Sequence, residues 1–459
     1  MYTIDFQSPI HIHFIGIGGI SMSGLAEILL KEGFTISGSD AKESPLTKHL
    51  EEKGAQLFYG QRASNIIDGI DLVVYTAAIH PDNPEYACAL EKGLPMMSRA
   101  DLLGQMMKNY SMPIAVSGTH GKTTTTSMAS QMLLEGGFDP TITVGGILPS
   151  IGGNLRLGHS GTFITEACEY TNSFLSFFPK ISIILNMDAD HLDFFKDIDD
   201  IRHSFRLFAE KLPADGTLII NADTPCWEDI ARDLPCQVIT YGLEHPADYT
   251  AADITWDPQG HPTFTCLAYG KSLGSFSLKV PGLHNVSNAL SVIALGQKLG
   301  METDAIRRGI LDFTGTDRRF QYKGKVGDVT SIDDYAHHPA DIRATLTSAK
   351  NYPHKTIWCV FQPHTYTRTK ALMDDFARAL SLADHVVLAD IYAARETDTL
   401  GISSRDLMER IRKLGTPCEY FPTFDEIENY LLEHCEPGDL LITMGAGDVF
   451  KIGEKLLGI

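Results

Sequence analysis

The stretch VSGTHGKTTTT, which begins at Val116, carries the residues with the clearest chemical potential. Gly118 and Gly121 would let a loop wrap around phosphates. Lys122 would bring its positive charge into contact with the terminal phosphates, and Thr123 offers a hydroxyl to Mg²⁺. Val116 stands where the usual phosphate loop has its first glycine, and the threonines alone would also suit the first turn of an ordinary helix. Because a lysine directly after GTHG has no evident packing role, we predict a site for a nucleoside triphosphate.

A second glycine-rich stretch, GIGGISMSG, follows a predicted strand near the start of the sequence and opens a predicted helix. Gly16, Gly18 and Gly19 would let the backbone approach a diphosphate at the helix N-terminus. Ser21 replaces the third glycine of the usual pattern, and Asp40, at the end of the next predicted strand, is placed to meet a ribose hydroxyl. The same glycines would also serve a tight turn between strand and helix. We predict a nucleotide site, with NAD and other diphosphate nucleotides both open.

The charge balance limits the partners of this chain. Lys and Arg number 38 against 58 Asp and Glu, so the formal net charge is -20 and nucleic acid is disfavoured as a partner. Bound phosphates must therefore be held by local clusters of backbone N–H groups, cations and metal ions.

The eight cysteines form no Cys-x-x-Cys pair, no leader is recognisable, and no apolar run approaches about 18 residues. We expect reduced thiols in a cytoplasmic protein without membrane insertion; the oligomeric state is not readable from the sequence.

Length and hydrophobic pattern predict an α/β protein of three domains. Residues 1–107 alternate short apolar runs with helical stretches, which favours a Rossmann-like parallel sheet. Residues 108–321 begin with a strand, the glycine loop and a helix, which favours an α/β domain of the phosphate-loop ATPase type; the segment PTFTCLAYGKSLGSFSLKV adds a hairpin. Residues 322–459 alternate strands such as KTIWCVFQPH with helical segments such as RTKALMDDFARALSLA. This favours a third, Rossmann-like α/β domain.

Polar side chains recur where predicted strands and helices begin or end. FITEACEY supplies Glu166, NMDADHLDFF supplies Asp190, His191 and Asp193, and GLHNVSNAL supplies His284, Asn285 and Asn288. GTDRRFQ supplies Arg318 and Arg319, and SIDDYAHHP supplies Asp333, Asp334, His337 and His338. We expect Glu166 and His191 at strand ends on the edge of the central sheet, where they could hold Mg²⁺, although a lone histidine is more often a capping or core residue. Asn285 and Asn288 lie one helical turn apart and can face one ligand, but an N-cap followed by a surface residue has the same spacing.

In this order, and over almost the whole chain, these motifs resemble those of the Mur ligase family, whose loop is spelled T/S-G-T-x-G-K-T/S. The resemblance implies an ATP-dependent carbon–nitrogen ligase of peptidoglycan precursor synthesis that activates a carboxylate as an acyl phosphate. GIGGISMSG, GTHGKTTT, DDYAHHP and FQPHTYTRT are most similar to members that join L-alanine to UDP-N-acetylmuramate and release ADP and phosphate. The nearest alternative is a ligase that attaches a recycled peptide to the same sugar nucleotide. An NAD-dependent dehydrogenase and a nucleotide-gated ATPase are alternatives from other classes.

The resemblance also implies roles for individual residues. For ATP these are Gly118, Thr119, His120, Gly121, Lys122, Thr123, Thr124, Asn285, Asn288, Arg319 and Asp334. For the UDP-sugar they are Gly16, Gly18, Gly19, Ser21, Asp40 and His191, and for the muramate carboxylate and the amino acid they are His338, His364 and Arg368. For Mg²⁺, or Mn²⁺ in its place, they are Thr123, Glu166 and His191, and the catalytic set is Lys122, Glu166, His191 and Arg319.

Three features of these motifs stay open in the sequence. The incoming amine must be neutral to attack, and His364 or His338 would serve as the base that takes its proton. Arg318 would be a solvated neighbour of the phosphate-binding arginine. Many family members have EADES where this chain has EACEY, so Cys168 and Tyr170 replace an aspartate and a serine.

Overall fold

The computed structural model describes residues 2–76, 79–192, 194–394, 396–398 and 400–459. Its strands form three separate sheets that follow one another along the chain, which confirms an α/β protein of three domains. The residue boundaries between these domains stay predictions. Asp193 of the NMDADHLDFF motif lies outside the described residues. Within the described ranges no helix is long and apolar enough to cross a membrane.

The first sheet has the doubly wound order of a nucleotide-binding domain. Its parallel strands are β1 (His11–Ile15), β2 (Thr35–Asp40), β3 (Gln56–Tyr59), β4 (Leu72–Tyr75) and β5 (Met96–Ser98). Its helices are α1 (Ile20–Lys31), α2 (Pro45–Glu52), α3 (Pro84–Glu91) and α4 (Arg99–Met107). The strand order is β3-β2-β1-β4-β5, so the order reverses between β1 and β4. Ligands of such sheets bind outside the carboxyl ends of the strands at that reversal, where the GIGGISMSG loop follows β1.

The phosphate loop follows β6, a strand that lies between two others inside the central sheet. Its strands are β6 (Met112–Ser117), β7 (Thr141–Leu148), β8 (Gly153–Arg156), β9 (Thr162–Ala167), β10 (Ile181–Ile184), β11 (Thr217–Asn221), β12 (Gln237–Gly242), β13 (Tyr249–Trp256), β14 (Pro262–Ala268) and β15 (Lys271–Ser277). Its helices are α5 (Lys122–Glu135), α6 (Ile198–Ala209), α7 (Trp227–Ala231), α8 (Leu283–Lys298) and α9 (Thr303–Leu311). The order is β15-β14-β13-β12-β11-β10-β6-β9-β7-β8, with β6 parallel to both of its neighbours. The predicted hairpin is confirmed, because β14 and β15 pair antiparallel.

The third sheet is parallel except at one edge. Its strands are β16 (Gln321–Val326), β17 (Val329–Asp334), β18 (Ile357–Phe361), β19 (His385–Leu388), β20 (Cys418–Tyr420) and β21 (Leu440–Met444), in the order β16-β17-β21-β18-β19-β20. Its helices are α10 (Pro339–Ala349), α11 (Tyr366–Ala371), α12 (Met373–Leu380), α13 (Ser404–Lys413), α14 (Phe424–His434) and α15 (Phe450–Leu457). Among the described strands of this sheet, β16 alone runs antiparallel to its partner. The predicted helical segment RTKALMDDFARALSLA is divided at Leu372 into α11 and α12.

Close helix packing fixes α5, the helix that starts at the phosphate loop. Gly309 of α9 faces Met132 of α5, and a Cβ atom on Gly309 would lie 2.5 Å from the Met132 Cα. That separation is far below van der Waals contact, so a side chain cannot be added without moving a helix. The buried apolar side chains of α5, α8 and α9 belong to one core.

Gly309→Ala is expected to lower the free energy of unfolding by about 1–3 kcal/mol, because its methyl group would push α9 away from α5. Gly24→Ala is the control, since Gly24 is also helical but its Cβ would meet Leu155 at 3.7 Å, an ordinary contact. This control should match or slightly exceed the wild-type stability. Calorimetric melting of the three proteins checks the prediction, and equal melting temperatures for the two variants would contradict it.

Candidate active site

The phosphate loop lies between β6 and α5, at the carboxyl end of a strand inside the central sheet. Gly118 has a φ of 143° and Gly121 a φ of 82°, values that residues with side chains rarely adopt. Gly121 is the N-cap of α5, and no side chain caps this helix. The first N–H groups of α5 therefore have no side-chain acceptor. An uncapped helix N-terminus after a glycine loop is suited to bind phosphate.

Lys122 is held in this loop by a buried carboxylate. Its Nζ donates to the Thr119 carbonyl at 3.1 Å, to the Gly118 carbonyl, and to Glu169 Oε2 at 2.9 Å. The Glu169 side chain is only 2% exposed. Burial alone would lower the pKa of Lys122, but the charge of Glu169 outweighs it and raises that pKa above its ordinary value. The ammonium group is therefore charged and can exchange its carboxylate partner for a phosphate oxygen.

Two pairs of donor atoms beside the loop suit a metal ion. Thr123 Oγ1 donates to Glu166 Oε2 at 3.1 Å. Glu169 Oε1 is buried, has no hydrogen-bond partner among the residues that the structure describes, and lies 4.0 Å from His191 Nε2. Among the described residues no three His, Cys, Asp or Glu side chains converge into a metal cage. Two-donor sites fit Mg²⁺, which usually keeps water and substrate phosphate oxygens as its other ligands.

His191 lies in the loop after β10 and not at a strand end, so that part of the sequence prediction is wrong. Its φ is 54°, a left-handed value that is uncommon outside glycine. The imidazole stacks on the Tyr170 ring with centroids 4.5 Å apart, and Nε2 is 3.7 Å from Asp190 Oδ2. The tyrosine of EACEY thus orients the histidine. A strained backbone held in place by packing is typical of functional sites.

A cavity of about 260 Å³ opens beside the phosphate loop, between the central and third domains. Its walls include many of the residues predicted to bind ATP, namely His120, Gly121, Thr124, Asn285, Asn288, Arg319 and Asp334. Asn288 Nδ2 donates to Asn285 Oδ1 at 3.1 Å, so the two amides share one face as expected. His284 also lines the cavity, and burial lowers its pKa to about 4. The structure thus brings the predicted ATP-binding residues of two domains to one cleft.

Arg318 and Arg319 have different environments although they are adjacent. The Arg319 guanidinium carbon lies 5.2 Å from the Tyr335 ring centroid, on the cavity wall. Arg318 is not solvated, contrary to the sequence hypothesis: its Nε donates to buried Asp333 at 2.8 Å, and its terminal nitrogens donate to two carbonyls that follow β21. Asp334 lines the same cavity as Arg319. Burial raises the pKa of Asp334 to about 6, although the charge of Arg319 acts to lower it. Arg318 therefore anchors the interdomain linker, and Arg319 remains available to a ligand.

The three residues predicted to bind carboxylates meet near the loop that contains His191. Arg368 Nη2 donates to Asp190 Oδ1 at 3.2 Å, and Nη1 lies 3.2 Å from His364 Nδ1. His338 Nδ1 accepts the Ala340 N–H at 3.3 Å and so caps α10. An accepting Nδ1 leaves the proton of a neutral imidazole on Nε2, and burial lowers the pKa of both histidines, that of His364 to about 4. Each neutral imidazole therefore presents an Nε2–H donor and has no free basic nitrogen.

Among the residues that the structure describes, two ion pairs join the central domain to the third domain. One is the contact between Arg368 and Asp190. In the other, His120 of the phosphate loop places Nδ1 2.8 Å from Asp341 Oδ1, while its Nε2 is 3.2 Å from Asp188 Oδ2. Burial lowers the pKa of His120, but Asp341 and Asp188 outweigh that effect and raise it to about 10. Sequence reasoning missed Asp341 because an acidic residue in the first turn of a helix is usually explained by the helix dipole.

The glycine loop of the first domain is stabilised by the acidic residue predicted to meet a ribose. The Gly18 N–H donates to Asp40 Oδ2 at 2.8 Å, and a Cβ on Gly18 would lie at the same distance from this oxygen. Gly16 has a φ of 83°, and Gly19 is the N-cap of α1 without a side-chain cap. Asp40 ends β2 as predicted, but a ribose hydroxyl would have to share it with the loop.

Asp341→Asn is expected to lower the melting temperature by roughly 5 °C or more at pH 7, because it leaves a buried histidinium without its main partner. The folded pKa of His120, about 10, lies above the ordinary value near 6.5, so this stabilisation is complete below about pH 6.5. It is lost as the pH rises towards 10, and the gap between wild type and variant should close over that range. The control is Asp425→Asn. Asp425 also lies in the first turn of a helix, but its ion-pair partner is Lys455 and not a histidine. A gap for Asp341→Asn that is constant from pH 7 to 10 would contradict the assignment.

Three family models match the chain in order. Residues 11–111 match the Mur ligase family catalytic domain, residues 116–296 match the Mur ligase middle domain, and residues 318–447 match the Mur ligase glutamate ligase domain. Together they cover most of the sequence, so the resemblance seen in the motifs is confirmed over most of the chain.

Individual proteins support the same grouping. The chain is 62% identical to a UDP-N-acetylmuramate–L-alanine ligase of Agathobacter rectalis, over 100% of both chains. The UDP-N-acetylmuramate–alanine ligase of Thermotoga maritima superposes with a TM-score of 0.82 at 29% identity, over 98% of each chain. A murein peptide ligase from Psychrobacter arcticus superposes with a TM-score of 0.71 at 27% identity, also over 98% of each chain. This chain therefore belongs to the Mur ligase family of ATP-dependent ligases.

Proposed function

We propose that this chain joins L-alanine to the carboxylate of UDP-N-acetylmuramate, a step in peptidoglycan precursor synthesis. The observation that carries the proposal is the 62% identity, over the full length, to the Agathobacter rectalis ligase of that name. The site supports the proposal, because the phosphate loop and a group of N–H donors suited to bind carboxylates lie where the central and third domains face each other. We expect the reaction to take place in the cytoplasm, where ATP and UDP-sugars are made.

The chemistry requires a carboxylate to be activated before an amine can attack it. Transfer of the γ-phosphoryl group of ATP to the muramate carboxylate gives an acyl phosphate and ADP. Lys122 and Arg319 supply positive charge for the transferring phosphoryl, whose reaction depends mainly on positioning and electrostatics. The amine of L-alanine then attacks the acyl carbon, and phosphate leaves as the amide forms.

Mg²⁺, or Mn²⁺ in its place, fits the donor atoms beside the phosphate loop. We propose that Thr123 and Glu166 hold one side of this site and His191 the other, with Glu169 as an additional carboxylate. The unpartnered, buried Oε1 of Glu169 supports this assignment, since such an atom is costly unless a ligand satisfies it. A bound divalent ion neutralises phosphate and substrate oxygens and so lowers the cost of bringing anions together.

In the proposed function, residues of the third domain bind the muramate carboxylate and the carboxylate of the amino acid. His338 and His364 present Nε2–H donors, and Arg368 presents a guanidinium that is held between His364 and Asp190. We propose that these three residues hold the muramate carboxylate and the carboxylate of the incoming amino acid. Such donors are favourable because charge-assisted hydrogen bonds are short and strong.

Two rival functions differ in the acceptor or in the reaction. A ligase for a recycled peptide would share the sugar nucleotide and ATP, and the murein peptide ligase of Psychrobacter arcticus has the same fold. Its TM-score of 0.71 is lower than the 0.82 of the alanine ligase of Thermotoga maritima. A dehydrogenase would leave the loop at Lys122 unexplained.

The direct test is phosphate release from ATP and Mg²⁺ in the presence of UDP-N-acetylmuramate, with L-alanine, with a tripeptide that begins with L-alanine, or with no acceptor. We expect release to require the sugar nucleotide and L-alanine together. Lys122→Ala should reduce the rate by at least about 100-fold, because it removes the positive charge that stabilises the transferring phosphoryl group. Lys271→Ala, at the exposed start of β15, is the control and should behave as wild type.

Each other outcome has a definite meaning. Release that prefers the tripeptide would make the chain a peptide ligase. Release without any acceptor would make it an ATPase and contradict the proposal. A Lys122→Ala protein with wild-type activity would contradict the role of the phosphate loop.

A further inference from the structure

The strand β7 becomes irregular at its carboxyl end, beside the phosphate loop. Its registers with β9 and with β8 both stop at Thr143, and pairing with β8 resumes at Leu148. Residues 145–147, here called the β7 bulge, lie outside these regular pairs, so their backbone groups are available to other partners. Two of the three residues, Gly145 and Gly146, are glycines.

On one side the β7 bulge contacts the carboxylate that is proposed to hold Mg²⁺. The Gly145 N–H donates to Glu166 Oε1 at 2.6 Å, and Thr123 Oγ1 donates to Oε2 of the same carboxylate at 3.1 Å. Each oxygen of Glu166 thus has a donor from a different segment of the chain. Hydrogen bonds of this kind fix the orientation of a carboxylate that binds a metal ion.

On the other side the β7 bulge contacts the linker between the central and third domains. The Ile147 carbonyl accepts the Asp317 N–H at 3.1 Å, and the Thr316 carbonyl accepts the Arg319 N–H at the same distance. Arg319 lines the cavity beside the phosphate loop. Three consecutive residues of one strand therefore connect the carboxylate of Glu166 to the segment that carries Arg319.

The two glycines of the β7 bulge are required by space and not by backbone conformation. Neither has a positive φ, so a residue with a side chain could adopt the same backbone. A Cβ atom on Gly146, however, would lie 2.9 Å from Thr316 Cγ2 and 3.2 Å from Thr123 Cγ2. A Cβ atom on Gly145 would lie 3.1 Å from both carboxylate oxygens of Glu166. These separations are shorter than an ordinary van der Waals contact, so the glycines let the phosphate loop, Glu166 and the linker approach one another closely.

We propose that the β7 bulge holds Glu166 and Arg319 at the separation that phosphoryl transfer requires, with Gly145 and Gly146 as positioning residues. The inference rests on the proposed function, because it takes Glu166 as a ligand of the divalent ion and Arg319 as a cation for the transferring phosphoryl group. The glycines act through Glu166 and the linker and not by contact with the reacting atoms. Their effect on the rate is large because a displacement of about 1 Å in a reacting group can reduce the rate by about 100-fold.

Gly146→Ala is expected to lower kcat at saturating substrates by roughly 10- to 100-fold, because its methyl group would push the linker away from the phosphate loop. UDP should bind as it does to wild type, since the glycine loop predicted for its diphosphate belongs to the first domain. Thr316→Ala removes the opposing methyl group, and the Thr316 hydroxyl has no hydrogen-bond partner among the described residues. The double variant should therefore recover most of the lost kcat. Steady-state kinetics and calorimetric binding of UDP, measured for wild type, both single variants and the double variant, complete this cycle.

Gly145→Ala is expected to weaken Mn²⁺ binding by roughly 10-fold, because its methyl group would displace the carboxylate of Glu166. Electron paramagnetic resonance of Mn²⁺ with a non-hydrolysable ATP analogue measures this binding without turnover. Gly145 is exposed, so the melting temperature of this variant should match that of wild type. The control is Gly153→Ala on β8, where the added Cβ would have no neighbour within 4 Å and every readout should match wild type.

Four results would overturn the inference. The first is a wild-type kcat for Gly146→Ala, and the second is a loss of kcat that Thr316→Ala does not recover. The third is a loss of UDP binding in Gly146→Ala that parallels the loss of kcat, because it would show general structural damage. The fourth is unchanged Mn²⁺ binding in Gly145→Ala. Absence of phosphate release by the wild-type protein with L-alanine would instead contradict the proposed function, and the Mn²⁺ comparison would still test the role of Gly145.

Discussion

The contact between the ammonium group of Lys122 and the buried carboxylate of Glu169 is the interaction on which the central site depends. In a chain with a formal net charge of -20, binding sites for nucleotides must be built from a few local cations. A buried cation needs a counter-ion when no nucleotide is present, and the loop meets this need with Glu169. Arg368 with Asp190 repeats the arrangement. The carboxylates thus hold the two cations in position, and in the proposed function phosphates and substrate carboxylates take their place.

The same pairs explain why the site needs more than one domain. The phosphate loop belongs to the central domain, whereas Asp341, which pairs with His120 of that loop, lies in the first turn of α10 in the third domain. The contact between Arg368 and Asp190 crosses the same boundary. The residues predicted to bind ATP and those predicted to bind carboxylates therefore belong to two domains that contact each other.

Local sequence patterns predicted the parts of the site that depend on local structure. The loop at Lys122 follows from its glycines and its place between strand and helix, and the shared face of Asn285 and Asn288 follows from helical spacing. The short edge strands, such as β8 and β20, have too few residues to show a period and were not predicted. The family resemblance supplied roles that spacing alone could not supply.

Contacts between residues distant in sequence could not be predicted. The ion pair of His120 with Asp341, the anchoring of Arg318 by Asp333 and the left-handed backbone of His191 all depend on packing between domains or loops. The protonated nitrogen of His338 depends instead on a local contact, because the Ala340 N–H at the start of α10 donates to Nδ1, but this contact forms only once the helix is in place. In both candidate bases, His338 and His364, the Nδ1 atom already faces a donor.

The most direct test of the account follows one oxygen atom. UDP-N-acetylmuramate labelled with ¹⁸O in both carboxylate oxygens would be ligated to L-alanine with unlabelled ATP, and the released phosphate analysed by mass spectrometry. Activation as an acyl phosphate predicts that each phosphate released carries one labelled oxygen, because the attacking carboxylate oxygen leaves with the phosphoryl group. Unlabelled phosphate, released while the amide forms, would contradict the account.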